Sequence, residues 1–111
     1  MTTPADELRT AADKLRQDAE AARRASPPPW AVTDEYVVRC ADGMIVADRS
    51  GTIHPAERAD LPYIAAMHPG VGAALADWLE SWTGIDLYEA GSLPEDAKHA
   101  LAVARAVNAS A

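Results

Sequence analysis

Three consecutive prolines set the layout of this chain. The run Ser26-Pro27-Pro28-Pro29-Trp30 removes backbone donors, fixes φ and pushes each preceding residue out of the helical region. No helix passes through it. The chain therefore reads as an N-terminal amphipathic helix within residues 1–25, a proline-rich linker at 26–30, and a small α+β domain over 31–111. In the first segment Leu8, Ala12, Leu15, Ala19 and Ala22 recur at steps of three and four, which places them on one face of a helix spanning about 5–24. Thr3 is positioned to cap that helix and Pro4 suits its first turn. Asp6 and Glu7 sit where the helix dipole favours anions, and Arg23 and Arg24 where it favours cations.

Beyond the linker the period changes. Tyr36, Val38 and Cys40 alternate with Val37 and Arg39, Asp42-Gly43 supplies a tight turn, and Met44-Ile45-Val46-Ala47 returns as the second strand of a hairpin. Asp48-Arg49-Ser50-Gly51 is a further turn signal, after which Thr52-Ile53 is the expected position of a minimal third strand. The rest is helical. Asp60 is placed to cap a short helix through Tyr63, Ile64 and Met67, and His68-Pro69-Gly70 interrupts it. A second helix follows from Pro69 to Trp82, with Val71, Leu75, Trp78, Leu79 and Trp82 at helical spacing and Gly84 placed to stop it. Ser92 and Glu95 form a capping box for a last helix that carries Ala97, Leu101, Ala104 and Val107 on one side. A two-stranded hairpin is marginal alone and needs a cover. Of the 111 residues 25 are alanine and none is phenylalanine, so that cover is built from small side chains, with three tryptophans and a few Leu, Ile and Val for volume. The expected fold is α+β, about four helices packed on a short antiparallel β-hairpin in one compact unit.

Chemistry is constrained more by exclusion. The net charge of −7 supplies no basic excess to displace counterions from phosphates, so direct nucleic-acid binding is not expected. A helix-turn-helix reading of 60–82 fails because the second helix carries Asp77 and Glu80 and no cation. One cysteine, Cys40, allows neither an internal disulfide nor a thiolate zinc cluster. It lies on the strand phase of Tyr36 and Val38 with no base placed beside it, which reads as a buried small side chain and not a nucleophile. His54, His68 and His99 lack metal-ligand spacing, and the first two precede prolines at helix entrances, where cap or loop contacts are expected. Gly70-Val71-Gly72 opens a helix but follows no parallel strand and precedes no P-loop lysine, so the glycines read as a sharp turn or a close helix approach. No catalytic residue, cofactor or metal is expected. No apolar run reaches the ~18 residues of a membrane span, and the charged N-terminus is unlike a signal peptide. A soluble domain in the cytoplasm of a bacterial host cell is the expectation.

Ala25-Ser26-Pro27-Pro28-Pro29-Trp30 resembles the Ala-Thr-Pro-Gly-Pro-Trp signature that follows an N-terminal helix in the Ead-like accessory proteins of phages and prophages and in related small proteins of actinobacterial phages. Ala59-Asp60-Leu61-Pro62-Tyr63-Ile64-Ala65-Ala66-Met67-His68-Pro69 is similar to their Asp-Ala-x-Phe/Tyr-Ile-Ala-Ala-x-x-Pro segment. The likeness spans roughly residues 5–83, with Pro28 in place of the family's glycine and Pro62 as a second departure. It implies a phage or prophage setting and no catalytic residues. The function expected is therefore that of a non-enzymatic phage or mobile-element accessory protein, acting by macromolecular binding or self-association. Two alternatives are an acidic inhibitor or decoy of a host defence or DNA-binding protein, and a small-molecule sequestering protein. Acidity is spread unevenly for a decoy, −2 over residues 1–53 and −5 over 54–111. The candidate interaction surface is Leu8, Ala12, Leu15, Ala19 and Trp30. Pairing of the N-terminal helix with that of a second copy gives a homodimer; folding back onto Leu75, Leu79 and Trp82 is the competing arrangement, and a host protein is the other candidate partner.

Overall fold

The structure, a computed structural model, describes residues 2–84 and 93–110. In chain order it contains α1 (Pro4–Ala25), β1 (Ala31–Val32), β2 (Val37–Arg39), β3 (Ile45–Asp48), a 3-10 turn (Pro55–Arg58), α2 (Asp60–Ala66), α3 (Pro69–Ser81) and α4 (Glu95–Ala109). The fold is α+β: helices and one antiparallel sheet of order β1-β2-β3. The residues group into two units, Met1–Asp18 with Ala73–Ala111, and Ala19–Gly72. The division falls within α1 and within α3 and not at residues 26–30, so the proline run is internal to one unit and is no boundary between units. Among the described residues no helix is long and apolar enough to cross a membrane.

The first unit is helical. Thr3 Oγ1 accepts the Asp6 amide at 3.1 Å and the Thr3 amide donates to Asp6 Oδ2 at 3.2 Å, a reciprocal box that satisfies two donors at the start of α1. The Thr3 amide, and after it the Thr3 hydroxyl, hold the Asp6 carboxyl below its ordinary range. Leu8, Ala11 and Ala12 of α1 are buried in one cluster with Ala76 and Leu79 of α3 and Ala100, Leu101 and Ala104 of α4. Leu15, Trp82, Leu93, Val103 and Val107 pack on its edge. Five of the eight buried side chains are alanine, which lets helices approach closely and leaves little rotamer freedom in the core. Polar ties fix the register around it. Arg16 reaches Asp77 Oδ1 at 3.0 Å and also bonds Glu80. Arg105 bonds both oxygens of Glu7, and Asn108 Nδ2 donates to the Glu7 carbonyl at 3.0 Å. Pro94 precedes α4 at its cap position; the expected Ser92 cap lies outside the described residues.

The second unit holds the sheet. Val32 pairs with Val38 and Ala31 with Arg39 across β1 and β2; Val37 pairs with Asp48, Val38 with Ala47 and Arg39 with Ile45 across β2 and β3, with a bulge between Val38 and Arg39. Val37 and Val38 are buried, as is Leu61 of α2, which packs against β1 and β2. The third strand is therefore Ala31–Val32 and not Thr52-Ile53. After β3 the chain turns back instead of pairing: the Thr52 amide and Oγ1 both donate to the Arg49 carbonyl, at 3.1 and 2.8 Å. The proline run is docked on this unit. Trp30 Nε1 donates to the Ser26 carbonyl at 2.8 Å, the Pro27 carbonyl accepts the Ala41 amide at 2.9 Å, and the Pro28–Pro29 bond is cis. Gly72 lies against Ala19, where an added Cβ would stand 3.2 Å from the Ala19 methyl, so this glycine permits the close helix approach expected of it.

Candidate functional site

The turn between β1 and β2 ends on Tyr36, whose φ of 61° is the positive value usually left to glycine or asparagine. Holding an aromatic residue there costs on the order of 1–2 kcal/mol. Local bonds enforce it. The Thr33 carbonyl accepts the Tyr36 amide at 3.1 Å, the Thr33 amide donates to the Val37 carbonyl at 2.9 Å, and the Arg49 amide donates to the Tyr36 carbonyl at 2.9 Å. The ring so placed lies under Arg58, whose Cζ stands 3.7 Å from the ring centroid. Arg58 is steadied by Thr52 as well: Nε reaches Thr52 Oγ1 at 3.3 Å and Nη2 reaches the Thr52 carbonyl at 3.0 Å. Beside it Arg49 donates through Nε at 3.2 Å and Nη2 at 2.8 Å to Asp60 Oδ2. This bond, more than any other contact, holds the Asp60 carboxyl below its usual range and raises Arg49 above its own. Tyr36, Arg58, Thr52, Arg49 and Asp60 thus form one connected polar chain at the surface of the second unit.

Charge pairing sets Arg58 apart. Arg9, Arg16, Arg23, Arg24, Arg39, Arg49 and Arg105 each lie within ion-pair reach of a carboxylate. Among the described residues Arg58 does not, although the chain has 17 acidic side chains for 10 basic ones. The same unit presents many apolar side chains to solvent. Ile53, next to Thr52, is 87% exposed; Tyr63 is 68%, Met44 63% and Ile45 50% exposed, with Val32, Tyr36 and Met67 also in solvent. All seven belong to the second unit, whereas the first contributes Trp78 alone to the exposed large hydrophobics among the described residues.

The residues singled out by sequence are placed otherwise. Leu8 and Ala12 are fully buried in the chain's own core and Leu15 packs on its edge, so the stripe read as a seam for a second copy is covered from within. Within the chain the stripe meets Ala76 and Leu79 of α3, with Trp82 at the edge, and Ala100, Leu101 and Ala104 of α4. Ala19 is half-buried beside Gly72, and Trp30 is half-buried over the proline run. Cys40 is buried in the hairpin, its amide donating to the Met44 carbonyl at 3.0 Å, and no histidine bonds its thiol among the described residues. His68 caps α3, its Nδ1 accepting the Gly70 amide at 3.1 Å. His54 precedes the 3-10 turn without a side-chain cap bond, and His99 is exposed on α4. Among the described residues no three His, Cys, Asp or Glu side chains gather as a metal site would require. Periodicity gave no hint of the Tyr36–Arg58 stack. The local signal that existed was negative, a turn closing on tyrosine where glycine or asparagine is usual.

No protein-family model, curated protein or solved structure matches this chain.

Proposed function

We propose that this chain is a non-catalytic accessory protein of a phage or mobile element, working in the cytoplasm of a bacterial host by binding another protein. One observation carries the reading: among the described residues, seven of the eight exposed large apolar side chains lie within Ala19–Gly72, the unit that also holds Arg58, whose guanidinium has no carboxylate within ion-pair reach among those residues. Tyr, Met and Arg are side chains enriched in binding surfaces, and this unit presents Tyr36, Tyr63, Met44 and Met67 to solvent. The acidic-decoy reading has less support. Asp6, Glu7, Glu20, Asp60, Asp77 and Glu80 lie against arginines of the same chain, and a decoy needs carboxylates free to meet a basic partner. Pairing through α1 is likewise disfavoured, because Leu8 and Ala12 are already enclosed.

Affinity capture from the bacterial host tests the reading. The wild-type chain is compared with a variant carrying Met44→Ser, Ile53→Ser and Tyr63→Ser, three exposed positions whose replacement leaves the core intact. Loss of the captured protein from the variant is the expected result. The same proteins held equally by both chains would overturn the proposal.

A further inference from the structure

We infer that Tyr36, Ile53 and Arg58 form a docking point for an acidic, apolar-flanked segment of a partner protein, one of whose carboxylates pairs with the Arg58 guanidinium. The inference deepens the binding reading above and rests on it.

The first ground is the state of Arg58 before any partner arrives. The ring of Tyr36 covers one face of the guanidinium at 3.7 Å, and Thr52 takes Nε and one donor of Nη2. The Nη1 amino group and the second Nη2 donor carry no bond among the described residues. An arginine ordinarily gives up rotamer freedom when it binds; here stacking and two hydrogen bonds have ordered it already. The second ground is charge. Seven of the chain's arginines found carboxylates within the chain, and acids are in excess, so supply does not explain why Arg58 has none among the described residues. The third is the adjoining apolar group. Ile53 follows in the chain the residue that holds Arg58 and leaves 87% of its surface in water, and the ring of Tyr36 stacked on the guanidinium is itself 42% exposed. A ligand that matches these groups offers a planar, singly charged acceptor beside apolar side chains. An Asp or Glu flanked by Leu, Ile or Phe does so. A polyanion does not, because a net charge of −7 repels it and a single guanidinium neutralises little of it. Tyr36 then has a reason for its positive φ: an extended backbone at that residue would carry the ring away from Arg58.

The test is selection from a phage-displayed library of random peptides on the immobilised full chain, in wild-type form and as Arg58→Glu and Ile53→Asp. Net charge makes basic peptides the background, so an acidic consensus runs against non-specific attraction. Wild type is expected to enrich peptides with Asp or Glu next to large apolar residues. Arg58→Glu should lose them, and a synthetic peptide of that consensus should bind Arg58→Gln about tenfold or more weakly, as for a lost hydrogen bond to a charged group. Ile53→Asp covers the case in which Arg58→Glu fails to fold, since a nearly fully exposed position tolerates the change, and it should lose the same peptides. Enriched peptides without an acidic preference that are nevertheless lost on Ile53→Asp would overturn this inference and leave the binding reading standing. Enrichment indifferent to both variants, or none at all, would overturn it together with the claim that this surface binds.

Discussion

Replacing Leu8 with alanine tests the helical core directly. Leu8 is fully buried, and its cluster neighbours include Ala11, Ala12, Ala76, Ala100 and Ala104. The cost of a Leu→Ala change depends on how far the surroundings collapse into the space left behind. Alanine has no χ angle with which to collapse, so the cavity persists and the loss falls in the upper part of the range, about 3–5 kcal/mol. At roughly 4 °C per kcal/mol for a domain of this size, the melting midpoint drops by about 12–20 °C. Guanidinium denaturation followed by far-ultraviolet circular dichroism measures it, at two protein concentrations well separated from each other. Leu8→Met, which nearly conserves volume, should cost under about 1.5 kcal/mol. Because the stripe is covered by the same chain, the wild-type midpoint should not move with concentration. A loss below about 1.5 kcal/mol for the alanine variant would refute the cavity argument, and a midpoint that rises with concentration would return Leu8 to a seam between copies.

Two further expectations concern the second unit. Tyr36→Gly relieves a backbone cost of about 1–2 kcal/mol but loses a stack of about 0.5–1 kcal/mol and adds unfolded-state entropy of similar size, so its melting point should stay near wild type. Tyr36→Ala loses the ring without relieving the backbone and should melt lower; equal melting of the two variants would show that the positive φ carries no cost. The Glu20 carboxyl is lowered from its ordinary 4.5 to about 2, chiefly by its hydrogen bond from Arg23 and also by Arg24. A carboxyl depressed in the folded state stabilises it above the unfolded value, and that contribution fades as pH falls from about 4.5 through about 2. Glu20→Gln should therefore flatten the acid limb of stability against pH in that window, by a small amount because the pair is exposed; superimposable limbs would count against the pairing.

Where structure is encoded by neighbours in the chain, the sequence was legible. The Thr3-Pro4 start of α1, the Pro69 start of α3, the hairpin closed by Asp42-Gly43, and the last helix from Glu95 all stand close to where capping and periodicity put them. Short or long-range features were not. Ala31–Val32 is too brief to show alternation, so the pattern points to the wrong side of the hairpin for the third strand. The amphipathic face of α1 announces that it must be covered and is silent about what covers it; only the contact with α3 and α4 answers that. The candidate site depends on a contact between Tyr36 and Arg58, which belong to a turn and a 3-10 segment separated by two strands' worth of chain. Neither residue type signals the other. Trp30, placed on the candidate interaction surface, is half-buried and bonds back to the Ser26 carbonyl, a contact within the proline run that its spacing alone does not signal.

The alanine-rich helical core carries a consequence for how stability responds to temperature. The heat capacity released on unfolding grows with the apolar surface exposed, averaging about 12–15 cal/mol/K per residue in ordinary domains. A core whose buried cluster is mainly Ala11, Ala12, Ala76, Ala100 and Ala104 exposes less such surface per residue than one of leucine and phenylalanine. The heat-capacity increment of this unit is correspondingly small, and its free energy of unfolding varies with temperature along a shallow dome. Such a unit does not owe its folding to one narrow thermal optimum: it loses little on cooling and approaches its melting point along a gentle slope.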